Sequence, residues 1–223
     1  MQHFKVNTVP VPNSPGYAAL RLAYGLQLVA VFNRADQPGL RLHGQHGGRT
    51  ADVVTVAVAE RCIAGQSWAW DGVDFEVLHP QAADYDAANK SNAMSCVLRI
   101  SNGTQAVLLA GDLEAAQELR LVADPLMLPK LKADVLLMPH HGSKTSSTGA
   151  FLDAVQPRVA VAQAGYKNRF SHPVDSVLAR YDERGITVLK SPVCGAVTFN
   201  TDAPGQWQCN RQLAKRYWHH SAQ

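Results

Sequence analysis

The fold is decided by residues 94–122, MSCVLRISNGTQAVLLAGDLEAAQELRLV. Met94 to Ser101 and Thr104 to Ala110 are strand-like runs either side of Asn102-Gly103, a dipeptide suited to the positive φ angles of a hairpin turn. After Gly111-Asp112 the apolar period changes from two to 3.6, so Leu113 to Val122 is expected to be a helix. An antiparallel hairpin thus hands over directly to a helix.

The flanking segments extend both halves of this pattern. Upstream, Trp68 to Trp70, Asp71-Gly72 and Val73 to Leu78 form a second hairpin signature, and Asp52 to Ala59 is β-branched and alternating. Downstream, strands at Asp134 to Met138 and Arg158 to Ala162 alternate with helices at Thr148 to Val155 and Pro173 to Arg184. Pro173 is expected in the first turn of its helix, and Gly185 ends that helix. Ile186 to Lys190 and Ala196 to Asn200 are expected to close the sheet. Hairpins followed by strand–helix alternation give an α/β chain with a mixed sheet covered by helices on at least one face. The organisation expected is an unpatterned segment at 1–50, a folded domain at 51–203 and a tail at 204–223 containing Trp207 and Trp218.

Composition agrees with a folded domain. The 223 residues are 46% hydrophobic and 17% charged, which excludes a disordered or fibrous chain. Lys and Arg number 21 against 18 Asp and Glu, a net charge of +3 that is too small to identify a partner. The longest apolar stretch, Tyr17 to Phe32, is interrupted by Arg21 and Gln27 and falls short of the ~20 residues of a membrane span. Pro10, Pro12 and Pro15 stand where a signal peptide needs an apolar core. Taken alone, the chain is expected to be soluble and cytoplasmic. Cys62, Cys96, Cys194 and Cys209 lack zinc-finger or CxxC spacing, leaving buried thiols or two disulfides in any of three pairings.

Three expected strands run into polar residues: VLLAG into Asp112, DVLLMP into His140-His141, and VAVAQAG on towards Asn168 and His172. Parallel strands gather such residues at one sheet edge. Asp112 is placed either to cap the following helix or to bind a metal. Adjacent imidazoles after an apolar strand make poor core filling, so at least one of His140 and His141 is expected to act as ligand or acid–base group. His172 either caps the next helix or serves the site. The stretch Gly142-Ser143-Lys144-Thr145-Ser146-Ser147 offers hydroxyls, a cation and amides to a phosphate, or else is a solvated loop leading into a helix. It is not a Walker loop, because Ser143 and Met138 occupy the two glycine positions. A carboxylate with imidazoles and no thiolate suits Zn²⁺ or Mn²⁺ in a hydrolytic centre. Phosphate-binding residues beside it make phosphodiester hydrolysis the natural chemistry.

Residues 62 to about 199 resemble the C-terminal metallo-β-lactamase-like domain of ComEC-type DNA-internalisation competence proteins. The matching pieces are Cys62-x-x-Gly65-x-x-Trp68-x-Trp70-Asp71-Gly72-Val73, Leu78-His79-Pro80, Asn92-x-x-Ser95-Cys96-Val97-Leu98 and Leu108-Leu109-x-Gly111-Asp112, then His140-His141-Gly142-Ser143-Lys144-Thr145-Ser146 and Asn168-Arg169-Phe170-x-His172-Pro173. The resemblance implies an αββα sandwich, carried by an inner-membrane DNA channel and exposed on its periplasmic side, that degrades DNA with a divalent metal. Asp112, His140 and His141 would supply metal ligands, and Asp112, His140 and His172 the catalytic groups. Ser143, Lys144, Thr145, Ser146, Asn168 and Arg169 would hold the DNA phosphates. Periplasmic exposure favours a Cys62–Cys96 disulfide. The family's upstream His-x-His-x-Asp-His cluster has no counterpart here, and His43-Gly44-Gln45-His46-Gly47 lacks its carboxylate and spacing. The sandwich is therefore expected to be incomplete in its N-terminal half. Two readings follow: a metal-dependent DNA nuclease, or a non-catalytic remnant or DNA-binding module.

Overall fold

A computed structural model describes residues 61–70, 72–199, 201 and 203–215. Ahead of them, only backbone pairing is described for β1 (Leu40–Leu42) with β4 (Val54–Val56), and for β2 (Gln45–His46) with β3 (Arg49–Thr50). The expected strand at Asp52 to Ala59 is thus seen over β4 only, and Tyr17 to Phe32, His43, Trp218 and His219-His220 lie outside the described residues.

The main sheet has seven strands in the order β11-β10-β9-β8-β7-β6-β5. Strands β5 (Ser67–Trp70), β6 (Val73–His79), β7 (Val97–Ser101) and β8 (Ala106–Leu109) pair antiparallel as two linked hairpins. Strands β9 (Val135–Leu137), β10 (Val159–Ala162) and β11 (Thr187–Lys190) then continue β8 in parallel. The mixed α/β sheet expected from the sequence is present, and the change of pairing falls at β8, directly ahead of the change of period.

Helices α1 (Ala115–Ala123), α2 (Gly149–Val155) and α3 (Asp175–Asp182) are the three crossovers between the parallel strands. Right-handed crossovers in strand order place all three on one face. That face holds the main core, where Leu108, Leu136 and Ala160 of the sheet meet Leu121, Phe151, Leu152, Val177 and Tyr181, all nearly inaccessible to solvent. Opposite, Cys62, Phe75, Val77 and Leu98 form a smaller cluster in which Trp68 stacks on Phe75, ring centroids 5.1 Å apart. Period-two alternation accounts for both: Val97 and Leu98 are neighbours on β7 and belong to different clusters.

Four local expectations change. The second hairpin closes through four residues, because Ser101 pairs with Ala106 and Asn102 Oδ1 accepts bonds from Thr104 N and Gln105 N. An Asx turn replaces the two-residue turn. Helix α1 starts after Glu114 rather than at Leu113, so Asp112 does not cap it. Pro173 lies outside α3, ahead of its N-cap Val174, which also removes the capping role of His172. Residues 196–200 do not close the main sheet: β12 (Val197–Phe199) pairs with β13 (Trp207–Cys209) in a separate two-stranded ribbon. That ribbon, with α4 (Ser191–Cys194) and α5 (Asn210–Leu213), is pinned by a Cys194–Cys209 disulfide and packs Val197, Phe199 and Trp207 over Val159 and Leu189. The second disulfide joins Cys62 to Cys96, the pairing that the resemblance implies. Among the described residues no helix is long and apolar enough to cross a membrane.

Candidate active site

Parallel pairing sets Leu109 beside Leu137 and Leu137 beside Val161, so the carboxyl ends of β8, β9 and β10 form one edge. The residues following these strands, Asp112, His140 with His141, and His172, converge there. At the first end, Gly111 adopts φ +58°, and a Cβ at this position would lie 3.3 Å from Ser95 Cβ. Ser95 Oγ in turn accepts the Asp112 N–H at 3.1 Å, and Gly111 O accepts the His140 N–H at 2.9 Å. The two strand ends are thereby tied together through their main chains.

The second end is strained. His140 (φ 47°) and His141 (φ 56°) are both left-handed, and Gly142 follows at φ 84°. Each non-glycine residue in this region costs about 1–2 kcal/mol. The turn aims the His141 ring at Asp112, with His141 Nε2 3.2 Å from Asp112 Oδ1. The two form an ion pair, and the buried Oδ1 has no further hydrogen-bond partner. The Asp112 carboxylate raises the His141 pKa, outweighing the effect of burial, with help from the Gln163 backbone. His140 faces a different set of groups: its Nδ1 lies 3.4 Å from Glu114 Oε1 and 3.3 Å from Thr145 Oγ1, while Asn92 Nδ2 is 3.5 Å from Nε2.

His172 sits edge-on to His140, ring centroids 6.0 Å apart. Partial burial lowers its pKa, the neighbouring His140 and His141 lower it further, and Asp112 opposes them. The loop carrying it is organised by Asn168. Asn168 Oδ1 accepts the N–H groups of Phe170 and His172, and its Nδ2 donates to His172 O at 2.7 Å. Asn168 thus holds the loop through both ends of its amide.

Ser146 is likewise bonded to backbone. Its buried hydroxyl donates to Pro139 O and Ser143 O. The following residues are clamped from two helices: Glu118 of α1 accepts the N–H groups of Ser147 and Thr148, and Arg180 of α3 donates to the carbonyls of Ser146 and Ser147. Ser143 is buried, its Oγ 3.1 Å from Thr145 Oγ1. Lys144, Thr145 and Arg169 are exposed, and the Thr145 hydroxyl is 3.2 Å from Glu114 Oε1. Glu114, Asn92 and Ser95 were not singled out from the sequence as site residues. The only signal for Glu114 was an acidic residue just ahead of a helix, which ordinarily serves the helix.

Asp112 Oδ1 and His141 Nε2 are an oxygen and an imidazole nitrogen of the kind that Zn²⁺ or Mn²⁺ takes, and the carboxylate oxygen has no hydrogen-bond partner beyond that imidazole. Among the described residues, however, no group of three or more His, Cys, Asp or Glu side chains is placed to hold an ion. The described part of the site fits two positions of a ligand shell and not a complete one.

The chain is 41% identical to competence protein ComA of Neisseria gonorrhoeae over 161 residues, covering 72% of this chain and 22% of that protein. It is homologous to one segment of the ComA/ComEC competence proteins. ComE operon protein 3 of Bacillus subtilis is 37% identical over 127 residues, 57% of this chain and 16% of the relative. The chain thus spans about a fifth of the length of the curated relatives it matches. Among solved structures, a Thermotoga maritima protein described as a Zn-dependent hydrolase of the metallo-β-lactamase superfamily aligns at 19% identity and a TM-score of 0.38, covering 63% of this chain and 66% of that one. No protein-family model matches the chain.

Proposed function

We propose that this competence-related domain hydrolyses DNA phosphodiester bonds, with Asp112 and His141 as two ligands of a divalent metal centre. One observation carries the reading: the buried Asp112 Oδ1 lies 3.2 Å from His141 Nε2, with no further hydrogen-bond partner, at the edge where the parallel strands end. A Mn²⁺ or Zn²⁺ ion held by Asp112 and His141 would supply an activated water at neutral pH and offset charge on the phosphoryl oxygens. The protein's own contribution is positional. Glu114 and Thr145 hold Nδ1 of His140 and Asn92 lies against its Nε2, which fixes the ring, while burial and the neighbouring imidazoles lower the pKa of His172 and so favour the neutral form that accepts a proton. Lys144 and Arg169 neutralise the DNA backbone.

The lack of a third donor among the described residues favours a second reading, a DNA-binding module without catalysis. The two are separated by metal content after loading with Mn²⁺ and Zn²⁺, followed by a nuclease assay. Stoichiometric metal in the wild-type chain, lost together with hydrolysis in Asp112→Ala at unchanged melting temperature, supports the nuclease. Hydrolysis retained in Asp112→Ala overturns the assignment, and DNA binding without metal selects the module. The ComA/ComEC relationship supports a parent protein that places this domain beside a membrane DNA channel. Two disulfides suit the oxidising, extracytoplasmic side of that membrane.

A further inference from the structure

The loop from Gly165 to His172, joining β10 to α3, exposes two aromatic rings beside the reactive edge. Tyr166 is 46% exposed and Phe170 59%. Each ring carries a cation from its own loop: Lys167 Nζ is 5.4 Å from the Tyr166 centroid, and Arg169 Cζ is 4.6 Å from that of Phe170. The exposure is built in, because the Asn168 side chain holds Phe170 N and both main-chain groups of His172, while Lys167 (φ 49°) and Ser171 (φ 55°) are left-handed. A backbone fixed at this cost, holding a large apolar ring in water, calls for a ligand.

Direction identifies the ligand. The Phe170 ring stacks on His172 at 5.6 Å, and His172 stands edge-on to His140, so a series of rings leads outward from the site and ends under a guanidinium. A planar π-surface next to an exposed cation matches a nucleotide, whose base stacks and whose phosphate pairs with the cation. We propose that Phe170 and Arg169 form a stacking platform that seats an unpaired nucleobase beside the reactive edge. The base takes the place of the Arg169 guanidinium on Phe170, and the released guanidinium reaches the adjacent phosphate. In a duplex the base faces are covered by their neighbours, so the platform selects single-stranded or frayed ends. This specificity rests on the phosphodiester reading above, but it is tested without hydrolysis.

The test is fluorescence anisotropy of the full chain in chelator, titrated against a labelled single-stranded DNA oligonucleotide and an abasic oligonucleotide of equal length. Phe170→Ala is expected to weaken binding of the base-bearing strand roughly 5- to 150-fold, the range for one lost stacking contact, while leaving the abasic strand unchanged. Phe170→Tyr, which keeps a π-face, restores the affinity. Equal affinities for wild type and Phe170→Ala, or equal losses on both strands, overturn the platform while leaving DNA as the substrate. A wild-type chain with no salt-dependent affinity for either strand overturns the DNA reading itself, and the platform with it.

Discussion

Gly142→Ala tests whether the strained turn after β9 is packed as described. Gly142 has φ +84°, and an added Cβ would lie 2.4 Å from Pro173 Cβ, 2.7 Å from Met138 Sδ and 2.8 Å from Pro173 Cα. The Met138 sulfur ends a flexible side chain and can move. Pro173 cannot, because its ring is rigid and the next residue is anchored by Val174 N donating to Gly142 O. Left-handed backbone with a Cβ costs about 1–2 kcal/mol, and forcing a methyl into a packed site about 1–3 kcal/mol more, giving roughly 2–5 kcal/mol in all. For a domain of this size that lowers the melting midpoint by roughly 4–20 °C. Gly103→Ala is the control: it shares a φ of +84° but meets nothing within 4 Å, so only the backbone cost of about 1–2 kcal/mol applies. Urea unfolding followed by circular dichroism measures both variants, and the difference between them isolates the contact with Pro173. Equal destabilisation of the two would refute the reasoning, since the conformational cost is common and the clash is not.

Two other predictions concern stability. His79 is 1% exposed, its Nδ1 bonded to Ser95 O at 2.7 Å, and burial lowers its pKa below 6.5. The unfolded chain therefore takes up this proton before the folded one does, so the contribution of His79 is complete above about pH 6.5 and declines as the pH falls towards the folded value. The melting temperature should fall less steeply between pH 7 and pH 5 in His79→Gln than in the wild type, and parallel profiles would contradict the assignment. The disulfides close separations of 34 residues for Cys62–Cys96 and 15 for Cys194–Cys209. Chain entropy predicts losses of about 4 and about 3 kcal/mol on opening them. Melting curves of Cys96→Ser and Cys209→Ser measure each loss, and a stability unchanged from wild type would show that the bond is not formed in solution.

Element type was legible wherever one physical signal dominated. Alternation marked β6 to β8, the change of period marked α1, and short apolar runs before polar residues marked β9 and β10. Boundaries moved where side chains compete for backbone groups. Asn102 converts a two-residue turn into four residues, and Leu113 leaves the helix because the first turn begins only after Glu114. The Ala196 to Asn200 strand was placed in the wrong sheet, because its partner at Trp207 to Cys209 was read as tail. The Cys194–Cys209 disulfide that fixes the ribbon joins residues whose spacing carries no motif. At the candidate site, residue type revealed the imidazoles and Asp112 but not how polar atoms are spent. Asn168 and Ser146 have the chemistry to bind phosphate, and their hydrogen bonds go to the protein's own backbone. Glu114 escaped notice for the converse reason, since its carboxylate meets His140 only after the chain ends at β8 and β9 have been brought together.

The pairing of strain with support argues for a functional rather than a structural turn after β9. Two successive left-handed histidines together cost about 2–4 kcal/mol, a large share of the ~5–15 kcal/mol that separates folded from unfolded domains. Neither ring fills the main core. The protein holds the turn from outside: His140 N bonds to Gly111 O, Gly142 O accepts Val174 N, and the Ser146 hydroxyl reaches back to Pro139 O. Beyond these lie the Glu118 and Arg180 clamps on residues 146 to 148, contributed by two different helices. A loop whose role was only to connect β9 to α2 would need none of this, since glycine at 140 and 141 would relieve the strain. The imidazoles are what that substitution would remove. The arrangement makes sense when the stability spent on the turn secures the His141 ring against an otherwise unpartnered Asp112 oxygen.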